Sequence, residues 1–337
     1  MVTIREVAKE ANVSISTVSR VINNSPNVTR DKRNRVLAAI EEVGYVANPK
    51  VKEPVQNSTQ VILVITTIFH GPLCSAIDEN ASEAGFNVLF KYTGEYDEEI
   101  SNKMATVLND VFLKEDMPAG IILLNPSMSK NKYLETIISK YPIVQVGCSL
   151  KNYGEYTVST DDFQAAYDMT SYLLERGYRR IALVTPNDTI DASRYSYMKE
   201  RYFGYNRALK NAGIREDNEI IIYCDSSEKG GRIAAREILQ MKERPDAVFC
   251  LSDRMAAGCL KTLISAGVKV PEEIGVAGFD NDSYASELIP ALTTVSQAFD
   301  DIGAEAVQML SQMIRGDISN GRRLYVAHSI AVRESTK

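Results

Sequence analysis

The chain has 337 residues, 45% of them hydrophobic and 24% charged, with a net charge of -6. That length is ample for a packed core and exceeds one small domain, while no apolar run approaches the roughly 20 residues of a membrane helix. A charged N-terminus, five scattered cysteines outside any C-x-x-C pair and two distant histidines argue against a signal peptide, a disulfide framework and a His-based zinc site. The expectation is a cytoplasmic protein with no membrane contact, metal or cofactor.

Charge is unevenly spread. Residues 1–50 hold eight Lys/Arg against five Asp/Glu, a net +3, which leaves -9 for the remainder. A small basic head on an acidic body is expected when only the head meets phosphate. Within the head, Ile4, Val7, Ala8 and Ala11 have helical spacing. Asn12-Val13-Ser14 interrupts it, and Ser14 suits the N-cap of a second helix that starts near Ile15 and buries Val18, Val21 and Ile22. Asn23-Asn24-Ser25-Pro26 ends that helix. Thr29 can cap a third, with Val36, Leu37, Ile40 and Val43 on one face and Gly44 as its stop.

The second helix leaves Ile15, Ser16, Thr17 and Arg20 outside its buried stripe, at the end where a recognition helix meets base edges. Arg20 can pair bidentately with guanine and Ile15 can pack on a thymine methyl. Ser14, Thr17 and Ser19 suit phosphate oxygens. The competing reading is a three-helix bundle for dimerisation or peptide docking. From Val46 to Gln60 periodicity disappears and Pro49 and Pro54 appear, which reads as a hinge.

Beyond the hinge, strand-like runs alternate with helical stretches. Strands are expected at 61–66, 87–91, 120–124, 143–146, 181–185, 220–223, 247–251 and 274–279. Helices are expected at 75–84, 164–176, 201–211, 231–241, 253–266 and 300–314. Gly85-Phe86, Gly177-Tyr178, Gly213-Ile214 and Gly267-Val268 read as helix stops, the glycine taking a left-handed conformation and the apolar residue folding back. Repeated β-α-β alternation over some 270 residues predicts two α/β lobes with parallel sheets. No nucleotide-binding glycine motif or G-x-S-x-G elbow occurs, so a sugar-modifying enzyme is only a remote alternative.

Ligands in such sheets sit beyond the carboxyl ends of strands. Asp253 follows the strand at 247–251 and Asp280 the strand at 274–279, while Arg201 stands at the start of an expected helix. Two carboxylates opposed by a guanidinium suit a sugar or nucleoside. Asp253 could equally cap its helix. Asp161-Asp162 is read as the cap of the helix near Gln164. Phe69, in the first loop of the body, could stack on a ring, and Tyr195 and Tyr197 are weak candidates beside Arg201.

The run Thr3 to Ala8, Ala11-Asn12-Val13-Ser14, the run Ser16 to Asn23 and the run Arg35 to Tyr45 resemble the head of the LacI/GalR family of bacterial regulators. The body is similar to that family at Arg201-Tyr202-Phe203-Gly204-Tyr205, Ser252-Asp253-Arg254-Met255-Ala256, Gly278-Phe279-Asp280-Asn281 and the run Pro290 to Val295. The resemblance implies a small all-α helix-turn-helix head (1–46), a hinge (47–60) and a two-lobed α/β body like periplasmic binding proteins. It implies an N-lobe of 61–160 plus 292–321 and a C-lobe of 161–291 plus 322–337, with three crossovers between them.

By the same resemblance, DNA contacts fall to Thr3, Ser14, Ile15, Ser16, Thr17, Ser19, Arg20, Asn23, Lys52 and Pro54, with Ile15, Ser16 and Arg20 choosing the operator. A carbohydrate-like effector between the lobes would meet Phe69, Arg201, Ser252, Asp253 and Asp280. Ser252 replaces an Asn common in sugar-responsive members. Pro54 stands where the family has the leucine that wedges into the minor groove, and a proline weakens a hinge helix, so weaker central kinking is expected. The implied function is a homodimeric repressor on a near-palindromic operator; the chain ends soon after Glu334 without a heptad tail, which favours a dimer. A corepressor- or protein-coeffector-dependent regulator is the alternative.

Overall fold

The structure is a computed structural model and describes residues 4–22, 28–43, 60–66, 70–93, 118–124, 141–147, 156–186, 196–214, 220–318 and 321–337. The head consists of helices α1 (Ile4–Glu10), α2 (Ile15–Ile22) and α3 (Arg30–Val43). Val7, Ala8 and Ala11 from α1 and its end, Val18 and Val21 from α2, and Val36 and Ala39 from α3 form one small core. The Ser14 hydroxyl accepts from the Thr17 N–H at 3.2 Å, the capping geometry that the sequence suggests. Leu37, expected in the buried face, is 45% exposed. One residue turns about 100° around a helix, so the face built from Val36, Ala39, Ile40 and Val43 carries Leu37 off to its side.

The chain divides into two units. Residues 1–158 and 299–324 form the first, and 159–298 and 325–337 the second. The first holds β1 (Val61–Thr66), α4 (Gly71–Glu83), β2 (Asn87–Tyr92), β3 (Gly120–Leu124), β4 (Ile143–Val146) and α9 (Phe299–Arg315), together with the first halves of β5 (Thr157–Thr160) and β11 (Arg323–Val326), whose last two residues fall in the second unit. Its sheet runs in the order β11-β5-β4-β3-β1-β2. The second holds α5 (Asp162–Glu175), β6 (Ile181–Pro186), α6 (Ser196–Asn211), β7 (Ile220–Cys224), α7 (Glu228–Gln240), β8 (Ala247–Cys250), α8 (Asp253–Ser265), β9 (Gly275–Asp280), β10 (Thr293–Gln297) and β12 (His328–Ala331), in sheet order β12-β10-β9-β8-β6-β7. Strands β1, β3, β4, β6, β8 and β9 are buried almost throughout, as parallel strands covered on both faces must be, whereas β2 alternates.

The four Gly-apolar pairs end their helices as expected. Gly85, Gly177, Gly213 and Gly267 take φ of 85°, 92°, 75° and 84°. The next residue's N–H then returns to a carbonyl five residues back, as in Tyr178 to Leu173 at 3.2 Å and Val268 to Leu263 at 3.1 Å.

The structure corrects the expected elements and boundaries at four points. β5, β10, β11 and β12 were not anticipated, because Thr157-Val158-Ser159-Thr160 and Thr293-Thr294-Val295-Ser296-Gln297 lack a continuous apolar run. Residues 292–298, assigned by sequence to the first lobe, belong to the second unit, because β10 pairs with β9 (Thr294 opposite Gly278). Residues 322–324 conversely lie in the first unit. Helix α6 begins at Ser196, so Arg201 stands past its first turn and opposes no exposed helix N-terminus.

Candidate functional site

In the second unit, the cluster is built from the ends of β8, β9 and β10 and from helices α5 and α6. Arg201 is carried on α6, whose seat is fixed by two neighbours. A side chain at Gly204 would collide with the Phe163 carbonyl oxygen, so only glycine lets α6 lie this close to α5. Tyr205 donates its hydroxyl to the Ile181 carbonyl at 2.8 Å and pins the helix to β6. Arg201 is thereby 3% exposed. Its Nε–H donates to Asp162 Oδ1 at 2.7 Å, and its Nη1 donates to the Leu251 carbonyl at 2.7 Å and lies 3.5 Å from Asp280 Oδ1. The guanidinium stacks 3.5 Å from the centre of the Phe279 ring, with Tyr197 at 5.2 Å.

Asp162 is a residue whose role the sequence did not reveal. Asp161 alone caps α5, accepting from the Gln164 N–H at 3.0 Å, which leaves Asp162 turned to Arg201. The pair of acids looked like one capping signal, and the Arg201 partner became visible only with α6 in place. Asp280 ends β9 with φ of 113°, and Asn281 follows at 56°. Such backbone is costly for residues with a Cβ, on the order of 1–3 kcal/mol each, and persists only where neighbours enforce it. Here they do. Gln297 donates to Asp280 Oδ1 at 2.8 Å while accepting from Thr160 at 2.9 Å. Arg333 donates to Asn281 Oδ1 at 2.6 Å, and the Asn281 side chain donates to Ser296 at 3.0 Å.

Asp253 lies behind this loop with no exposed surface. Its Oδ1 accepts from the Thr294 hydroxyl at 2.6 Å and its Oδ2 from the Asp282 N–H at 2.8 Å. It therefore ties the loop to β10. The alternative reading of Asp253 as a helix cap fails, because Ser252 is the cap of α8, accepting from the Met255 N–H at 3.4 Å. Ser252 and Asp253 thus have structural partners, while Arg201 and Asp280 meet in the cluster. Phe69 lies outside the described residues.

Electrostatics follow the burial. Desolvation pushes Asp162 up to about 6, against the pull of the adjacent guanidinium. Asp253 is raised well above the carboxylate range by burial and by the nearby Asp280 charge. Burial alone would lower Arg201, but Asp162 and Asp280 outweigh it and hold the guanidinium above its ordinary value. Chemically the cluster offers carboxylate acceptors and a fixed guanidinium fork over an aromatic face. It holds no nucleophile–base pair, and among the described residues no group of three His, Cys, Asp or Glu side chains could hold a metal ion.

In the head, the Ser14 hydroxyl lies 2.8 Å from those of Ser16 and Thr17, gathering three polar groups at the start of α2. Ile15 is 46% exposed beside them, and Arg20 is exposed at the other end. Thr3, Asn23, Lys52, Pro54 and the side chain of Ser19 lie outside the described residues.

Residues 3–48 match the profile of bacterial regulatory proteins, lacI family, and residues 170–336 match a periplasmic binding protein-like domain. The chain is similar to the HTH-type transcriptional repressor CytR of Escherichia coli strain K12, with 32% identity over 99% of this chain and 96% of that protein. Catabolite control protein A of Priestia megaterium is 30% identical over 100% of this chain and 99% of its own length. Among solved structures, the complex of transcriptional regulator CelR with cellobiose gives a TM-score of 0.74 at 28% identity, covering 99% of this chain and 100% of that one.

Proposed function

The chain belongs to the LacI family of bacterial regulatory proteins and is a DNA-binding transcription regulator rather than an enzyme, and we propose that the polar cluster of its second unit receives a small sugar-type effector that sets the affinity of the head for operator DNA. The observation that carries this reading is Arg201, buried between Asp162 and Asp280 on the Phe279 ring. Neighbouring hydroxyls of a sugar donate to carboxylates and accept from a guanidinium. The similar regulator CelR is solved with a disaccharide, cellobiose. Arg201 and Asp280 are the contact residues in this proposal, with Asp162 added. Ser252 and Asp253 shape the site, and Phe69 remains a candidate contact from the sequence.

At the other end, Ile15, Ser16 and Arg20 read bases in the major groove, while Ser14, Thr17 and Ser19 meet phosphates together with Thr3, Asn23 and Lys52. The protein acts as a homodimeric repressor, two heads on a near-palindromic operator, because a two-fold dimer repeats one recognition helix at each half-site. Pro54 in the hinge weakens central kinking, so Pro54→Leu should raise DNA bending and affinity on the same operator.

The test is Arg201→Ala, compared with wild type in operator gel shifts with an effector found by thermal-shift screening of sugars and nucleosides. Operator binding is expected to persist and the effector response to disappear. Equal loss of both would make Arg201 a purely structural residue. The sign of the wild-type response separates induction from corepression.

A further inference from the structure

Resting on the reading of this cluster as the effector site, we propose that Gln297 is the positioning residue through which an effector at Asp280 acts on the segments where the chain passes between its two units. The chain makes that passage three times, after residues 158, 298 and 324. Thr160 is the second residue beyond the first passage, Gln297 the second-last before the second, and His328 the fourth beyond the third; all three belong to the second unit. One side-chain amide joins the first two passages to the site. The Thr160 hydroxyl donates to Gln297 Oε1 at 2.9 Å, and Gln297 Nε2 donates to Asp280 Oδ1 at 2.8 Å. That same Oδ1 lies 3.5 Å from Arg201 Nη1. His328 stands opposite Gln297 where β12 pairs with β10, and its Nε2 lies 2.9 Å from Asp168 Oδ2 on α5, the helix that also carries Asp162.

The chemistry of an amide gives this bridge a direction. Turning it over would set Oε1 against the Asp280 carboxylate, two acceptors with no proton between them, so the carboxylate fixes which end of Gln297 faces Thr160. A ligand hydroxyl that donates to Asp280 Oδ1 competes with the Gln297 N–H for the same lone pairs. Occupancy of the cluster and the hydrogen bond to Thr160 thus draw on one amide with two arrangements, bridged and released. A two-state element that both sites bias is what coupling between a ligand and another segment requires. A Gln297 that merely held Asp280 in place would make the Thr160 bond irrelevant to the ligand response, because Asp280 keeps its Gln297 donor whatever Thr160 does. Each such hydrogen bond is worth about fivefold in an equilibrium.

Thr160→Val removes the donor at almost constant volume and leaves the Gln297 to Asp280 bond in place, whereas Thr160→Ser keeps the hydroxyl. Calorimetry on the full chain selects the tightest of cellobiose, ribose, glucose and adenosine. Fluorescence anisotropy on an operator selected from random duplex DNA then gives the ratio of operator Kd values with and without that probe. Wild type and Thr160→Ser are expected to show a ratio of about tenfold or more. Thr160→Val should lower it to about two- to threefold, while its calorimetric Kd for the probe stays within about threefold of wild type. Gln297→Met should lower the ratio as far, and the double variant no further, because both substitutions break one path. A Thr160→Val ratio equal to that of wild type, a double variant well below either single one, or lost probe binding in Thr160→Val overturns the role of Gln297 and leaves the effector site standing. No probe bound by wild type, or no operator response to a bound probe, overturns the reading of the cluster as the effector site and this role with it.

Discussion

Arg201, Asp162 and Asp280, the contact residues of the proposed effector site, are buried together. Each is held by a named partner: Arg201 by α6 packed through Gly204, Asp162 by the Asp161 cap, Asp280 by Gln297 and the strained loop. The buried charge of Asp162 has a consequence for stability. Its folded pKa of about 6 exceeds the ordinary value of 3.8, so its contribution is full below the ordinary value and is lost as pH rises through about 6. The linked free energy is at most about 3 kcal/mol. Relative to Asp162→Asn, the wild-type Tm should therefore gain several degrees as pH falls from about 7 to 5. A difference constant over that range would show that Asp162 is not held at a raised pKa. Asp253→Ala removes both ties to the loop and should lower stability by about 3 kcal/mol in urea unfolding. Effector affinity should fall as well, because Asp280 loses its fixed position. Retained effector affinity would make the loop self-supporting.

Among the elements, helix packing depends on glycines whose role is invisible in one dimension. A Cβ at Gly231 on α7 would strike the Met255 carbonyl, and one at Gly258 on α8 would strike the Glu228 carbonyl, so the two helices cross backbone to backbone. Gly258→Ala should therefore cost about 2 kcal/mol or more in unfolding free energy. Gly71→Ala, where nothing lies within 4 Å at the start of α4, should be neutral or slightly stabilising. A small effect at Gly258 would mean the helices can part without penalty. The apolar strands and the Gly-apolar helix stops were legible in the sequence because each is written in contiguous residues. β5, β10, β11 and β12 were not, since short segments without a continuous apolar run are set as strands by their pairing in the sheet. Asp162 escaped for a related reason: its partner lies 39 positions away, and spacing along the chain does not encode that contact. Arg201 and Asp280, which the structure brings within 3.5 Å of each other, were singled out in the sequence by residue chemistry and by family resemblance together.

At the scale of the whole molecule, a head of charge +3 is joined to a body of charge -9. That asymmetry favours phosphate contact at the N-terminal end of the chain, and with six or more phosphates neutralised per dimer, operator affinity should fall by about 10³ between 50 and 200 mM salt. Arg20→Ala should cost about 1–3 kcal/mol on the selected site and relax preference at a single base position, read by competition binding. Both effects concern the head alone. In the proposed mechanism a ligand held at Arg201 governs what α2 does on DNA. The most direct test is fluorescence anisotropy on an operator selected from random duplex DNA, titrated with wild type and with Arg201→Ala, each with and without a saturating neutral sugar identified by calorimetry. The expected result is a near-palindromic site whose affinity for wild type changes about tenfold or more on adding the sugar, a coupling of about 1.4 kcal/mol, and does not change for Arg201→Ala. An equal sugar response in both proteins, or none in wild type despite measured sugar binding, would contradict it.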